Sequence, residues 1–184
     1  NATAHAIHFF TNAADSFTRT GTKATYNIGV LGGGTSVNAI PFESWMEVDL
    51  RSEDPERLQG LDQLLQQAIR HGLQEANAQK RMGSDLTADV KLVGDRPTGA
   101  QDVSLALVQR AAAASLQMGA TPTPHVSSTN ANIPISKGVP GITIWQGGRA
   151  SGAHSLNEWW MNDQGHLAIQ ATLLLLLAEA GLAK

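Results

Sequence analysis

Apolar positions recur every three or four residues at the start of the chain. Ala4, Ile7, Phe10, Ala14 and Phe17 fall on one stripe, which predicts a helix over residues 3–16. From Thr22 to Leu31 the pattern changes to β-rich alternation, a first strand that Gly32-Gly33-Gly34 breaks. Phe42 to Leu50 alternates again, with Trp45, Glu47 and Asp49 on one face and Met46, Val48 and Leu50 on the other. Ser52-Glu53-Asp54-Pro55 then reads as a helix start: a capping side chain, proline in the first turn and acidic residues at the positive end. The helix it opens, Glu56 to about Gln79, carries Leu58, Leu61, Leu64, Leu65, Ile69 and Leu73 on one stripe. Thr87 to Val93 predicts a further strand, closed by Gly94-Asp95-Arg96-Pro97. Helix, strand, strand, helix, strand is the order of a ferredoxin-like βαββαβ layer without its first strand.

The character changes after Pro97, which places a domain boundary near residue 98 and divides the chain into 1–97 and 98–184. Asp102 to Met118 predicts an Ala-rich helix ended by Gly119, and Thr123 to Ser128 a short strand. Asn130 to Lys137 reads as a turn or short helix, Gly141 to Trp145 as a buried strand and Gly147 to Gly152 as a glycine-rich loop. Asp163 to Gly181 predicts the final helix. Alternating strands and helices predict part of a parallel α/β sheet, in a stretch too short for a complete domain of that kind.

Composition narrows the class. Net charge is −3 with no basic cluster, which argues against a nucleic-acid-binding surface. Cysteine is absent, so there is no disulfide framework, no thiolate metal site and no cysteine nucleophile; this fits a reducing, cytoplasmic setting. The longest apolar run, Leu173 to Ala178, falls far short of the roughly 20 residues a membrane span needs. The chain opens without Met and already in helical periodicity, which predicts that a segment precedes it.

Candidate chemistry sits at a few positions. Asn38 and Arg51 lie thirteen residues apart around the glycine–proline turn. If the strands pair as a hairpin, an amide and a guanidinium converge on one anion, and the planar fork of arginine suits a carboxylate. The alternative is that Arg51 forms a solvated salt bridge at a strand end and Asn38 serves the turn. His154 follows a predicted buried strand, where α/β proteins build sites, and suits a metal ligand or a general base. It also suits a loop histidine bonded to backbone, because no HExxH or paired His/Asp pattern accompanies it. His125 precedes the polar turn Ser127-Ser128-Thr129-Asn130-Ala131-Asn132, which reads as a pocket lining or as an ST-turn and helix cap. His5, His8, His71 and His166 lie on predicted helices and read as structural or solvent-facing.

Together these segments resemble metallopeptidase family 20, the two-zinc exopeptidases and deacylases that include acetylornithine deacetylase, succinyl-diaminopimelate desuccinylase, aminoacylase, carboxypeptidase G and peptidase T. Gly32-Gly33-Gly34-Thr35-Ser36-Val37-Asn38-Ala39-Ile40-Pro41 and, thirteen residues after Asn38, the arginine of Asp49-Leu50-Arg51 are similar to the family's lid, or dimerisation, domain. Ser127 to Asn132 resembles its polar G/S-G/S-T-D-A turn, with Asn130 where aspartate is common. Gly152-Ala153-His154-Ser155-Leu156-Asn157-Glu158-Trp159 resembles its late H-[ST]-x-[DN]-E-[WY] motif.

The resemblance implies a lid followed by the C-terminal part of a zinc-exopeptidase catalytic domain. It implies His154 as the last zinc ligand, and Asn38, Arg51, Thr129 and Asn130 as substrate-binding residues. The intact enzyme would use two zinc ions to cleave an amide bond of a carboxylate-bearing peptide, N-acyl amino acid or similar substrate, and would pair as a homodimer through the lid. The family's H-x-D, bridging Asp, Glu-Glu pair with its general base and lid-strand histidine have no counterpart in this sequence. At most one zinc ligand is therefore expected, no catalytic residue is assigned, and this chain alone is expected to be inactive. The alternative is a non-catalytic dimerisation or interaction module derived from the same family.

Overall fold

The computed structural model describes residues 1–181, which fall into two compact units meeting between Thr98 and Gly99. The first unit contains α1 (Ala2–Thr18), β1 (Ala24–Gly33), β2 (Ser44–Ser52) and α2 (Pro55–Ala78). Asp54 caps α2, its carboxylate accepting from the backbone N–H groups of Glu56 and Arg57 at 2.9 and 3.4 Å, with Pro55 in the first turn. β1 and β2 pair antiparallel from Ala24 opposite Ser52 to Gly33 opposite Ser44, with a bulge at Gly29. The expected alternation holds. Met46, Val48 and Leu50, with Tyr26 and Ile28, turn toward the helices, and Trp45, Glu47 and Asp49 face solvent.

Phe10, Ala14, Ala24, Leu61, Leu65 and Ala68 form the core of this unit, and Phe10 and Leu61 are fully buried. The helices run antiparallel, with Ala2 and Ala6 against Gly72 at one end and Phe17 against Gly60 at the other. A Cβ on Gly72 would fall 2.5 Å from the Ala2 carbonyl oxygen and 2.8 Å from the Ala6 nitrogen, so the helix backbones approach where only glycine fits. At the other end Arg57 of α2 closes α1. Its Nη2 donates to the carbonyls of Phe17 and Thr20 at 2.6 and 2.5 Å, and the guanidinium lies 3.8 Å from the Phe17 ring centroid. Tyr26 Oη donates to Asp15 at 2.5 Å, and its ring meets Phe10 edge-on at 5.1 Å. The hydrogen bond to Asp15, then burial and the Asp15 charge, push the Tyr26 phenol up to about 12.

The second unit contains α3 (Ala106–Gln117), α4 (Asn132–Ser136), β3 (Arg149–Ser151), β4 (Trp159–Met161) and α5 (His166–Ala180). α3 packs on α5 through the buried Ala114, Ala168 and Leu175, and Arg110 pairs with Glu179 at 2.7 Å. Gly181, at φ +74°, follows the last turn of α5. β3 and β4 form a short antiparallel ribbon, so the expected glycine-rich loop is partly strand. Gly148 permits it: a Cβ there would fall 2.5 Å from the Met161 carbonyl oxygen.

The mixed α/β class stands, but three expected strands do not form. Thr87–Val93, Thr123–Ser128 and Gly141–Trp145 pair with nothing, and the sheets among the described residues are two antiparallel two-stranded ones. A strand exists only where a neighbour completes its ladder. In a split βαβ layer the strand after α2 pairs with a strand ahead of α1, and no strand precedes α1 among the described residues. The parallel sheet expected in the second unit is likewise not formed, and Val126 in its first expected strand is 72% exposed.

Two outcomes follow from this packing. Gly72→Ala will lower stability by about 1–3 kcal/mol through overpacking against Ala2 and Ala6, although alanine favours an isolated helix by about 1 kcal/mol; urea unfolding measures it. The single tyrosine gives a clean optical titration: Tyr26 will ionise near pH 12 in the folded chain rather than near 10, and Asp15→Asn will bring it down. Because the folded value is the higher one, this contribution to stability is fully present below pH 10 and is lost as pH rises through about 12.

Candidate functional site

The hairpin separates the two residues expected to meet. Asn38 lies in the loop beyond the last strand pair, Gly33 opposite Ser44, whereas Arg51 lies opposite Thr25 at the far end. Ser44 and Arg51 are seven positions apart along β2, about 23 Å at about 3.3 Å per residue. Arg51 therefore lies at the end of β2 farthest from the loop that carries Asn38.

Each residue has its own local setting. Ser36 Oγ donates to Asn38 Oδ1 at 2.6 Å, and the Ala39 N–H donates to the Ser36 carbonyl, forming a tight turn at the tip. Val37, Ile40 and Phe42 around it stand fully exposed. Arg51 projects from the solvent face of β2, and its Nε donates to Asp49 Oδ2 at 2.5 Å. The strand-end salt bridge read as the alternative for Arg51 is thus present, and Asn38 does serve the turn.

In the second unit Thr129 is occupied by local structure. Its hydroxyl accepts from the Ala131 N–H at 3.2 Å and from the Thr143 hydroxyl at 2.7 Å, while its own N–H donates to Asn132 Oδ1 at 3.3 Å. These bonds make the polar turn an ST-turn leading into α4. Asn130 is exposed beside it, its carbonyl accepting from the Ile133 N–H. His125 is exposed too, with Nδ1 3.3 Å from the Thr123 carbonyl oxygen.

His154 sits at φ +64°, a left-handed conformation rare for a side-chain-bearing residue and one in which histidine is enriched. Glu158 supports it, its carboxylate accepting the His154 N–H at 3.2 Å. Ser155 closes the same turn by donating its hydroxyl to the Gly152 carbonyl at 2.7 Å. The side chain is exposed. Among the described residues no group of three or more His, Asp or Glu side chains is placed to hold a metal ion.

Sequence reasoning did not assign roles to Asp49 and Glu158. The signal for Asp49 was available, since a period of two puts residues 49 and 51 on one sheet face. The signal for Glu158 was its place in the quoted motif, but only the fold shows that it holds the His154 backbone.

Residues 1–77, most of the first unit, match the model of the M20 peptidase dimerisation domain. The matched stretch spans 77 of the 184 residues. No curated protein matches it. None of the described helices is long and apolar enough to cross a membrane.

A lone exposed imidazole holds zinc weakly. Adding zinc will leave the thermal unfolding midpoint of the chain unchanged, in the native sequence and in His154→Ala alike. A midpoint that rises only with His154 present would reveal a ligand set.

Proposed function

We propose that this chain is the pairing and substrate-holding part of a metal-dependent hydrolase that cleaves an amide bond in a carboxylate-bearing substrate, a peptide or an N-acyl amino acid. The observation that carries the reading is the match of residues 1–77 to a peptidase dimerisation domain, taken with the separation of Asn38 from Arg51. Within one hairpin Asn38 lies in the loop beyond Ser44, and Arg51 lies about 23 Å from Ser44 along β2 at about 3.3 Å per residue. Two chains related by a dimer axis bring the loop of one protomer toward the β2 end of its partner, because an isologous interface presents each residue to a different one across the axis. Asn38 of one protomer and Arg51 of the other then serve the same substrate. Arg51 orients and neutralises the carboxylate, and Asn38 supplies an amide for a neighbouring oxygen.

Thr129 and Asn130 are assigned as polar lining, and His154 as one metal ligand, zinc by the donor type. The remaining donors and the general base lie outside this sequence, so the chain by itself is inactive and none of its residues performs the bond-breaking step. A cytoplasmic setting fits the absence of cysteine. A second reading, a non-catalytic dimerisation module, rests on the match of residues 1–77 to a dimerisation domain alone.

The lack of cysteine provides a clean test. Asn38→Cys and Arg51→Cys chains, mixed and treated with a short bis-maleimide, will give a cross-linked species of twice the chain mass. The doubly substituted chain will give no internal link. Cross-linking that stays within single chains, or fails while the chain is dimeric by sedimentation, would overturn the shared site.

A further inference from the structure

The guanidinium of Arg51 has two edges able to grip a carboxylate: a side edge that uses Nε, and an end edge made of the two Nη groups. Asp49 already takes the Nε–H at 2.5 Å. The two residues share the solvent face of β2, Asp49 opposite Asn27 and Arg51 opposite Thr25, while Val48 and Leu50 between and before them turn toward the core. The packed face thus holds the strand that carries both side chains. We infer that Asp49 is a positioning residue that blocks the side edge of Arg51 and presents its end edge alone, so that the site takes a terminal carboxylate approaching along the arginine axis. This rests on the reading that Arg51 holds the substrate carboxylate.

Two physical consequences separate Asp49 from a mere surface partner. Holding a long side chain in one rotamer removes ordering entropy from the binding step. It also fixes the direction of the fork, and a bidentate grip depends on direction more than a point charge does. The nearby carboxylate partly offsets the arginine charge, which weakens the site for anions that bind by charge alone.

The test is an NMR titration of the ¹⁵N-labelled chain with N-acetylglycine, with its methyl ester as the control lacking the carboxylate. Arg51→Lys assigns the Arg51 side-chain signals. The expected result is that the Arg51 Nη signals shift with N-acetylglycine and not with the ester, while the Nε–H signal stays in place. In Asp49→Asn the Nε–H signal will shift as well, because the side edge becomes free. An Nε–H signal that moves together with Nη in the native chain would overturn the role of Asp49 and leave the role of Arg51 standing. If neither signal responds to N-acetylglycine, Arg51 does not bind the carboxylate, and the reading beneath the inference fails with it.

Discussion

The close contact of α1 with α2 is the constraint on which the first unit depends. Two strands with one apolar face do not make a stable body alone. They become one here because two antiparallel helices cover that face and bury Phe10 and Leu61 completely. The helices come close enough only because residue 72 has no side chain. At the opposite end Arg57 satisfies carbonyls that the last turn of α1 leaves open, so one side chain ties the start of α2 to the exit of α1.

That helix pair fixes the sheet, and the sheet fixes the distance between the two candidate substrate residues. Because Met46, Val48 and Leu50 must face the core, Asp49 and Arg51 must face away from it. A one-residue slip would bury the arginine and expose the leucine. The register also runs the hairpin to its full length, which puts Asn38 at one end and Arg51 at the other. The two-chain site proposed for them is in keeping with a unit that matches a dimerisation domain.

The second unit shows the opposite balance. α5 is apolar on nearly every side, and packing on α3 buries only Ala168 and Leu175, leaving Ile169, Leu173 and Leu176 more than half exposed. Its turns are well satisfied: Thr129, Ser155 and Glu158 each answer a backbone or hydroxyl group nearby. Local chemistry has set the loops that carry Asn130 and His154, while the apolar segments from residue 123 to 145 pair with no neighbour.

Much was determined by the sequence itself. The helix stripe of Leu61 and Leu65, the Asp54-Pro55 start and the alternation from Trp45 to Leu50 are local signals, and the elements formed where those signals placed them. The Asn38 and Arg51 motifs, Thr129 and His154 were also legible, because each is a short pattern of residue types. Only the tertiary structure decided which strands exist, since a ladder depends on a neighbour that no local pattern contains. It alone decided that Asn38 and Arg51 stand at opposite ends of a hairpin, because a spacing of thirteen residues is compatible with meeting or with parting. It alone showed that Asp49 holds the Arg51 Nε–H and Glu158 the His154 backbone, because a hydrogen bond depends on where two groups come to rest.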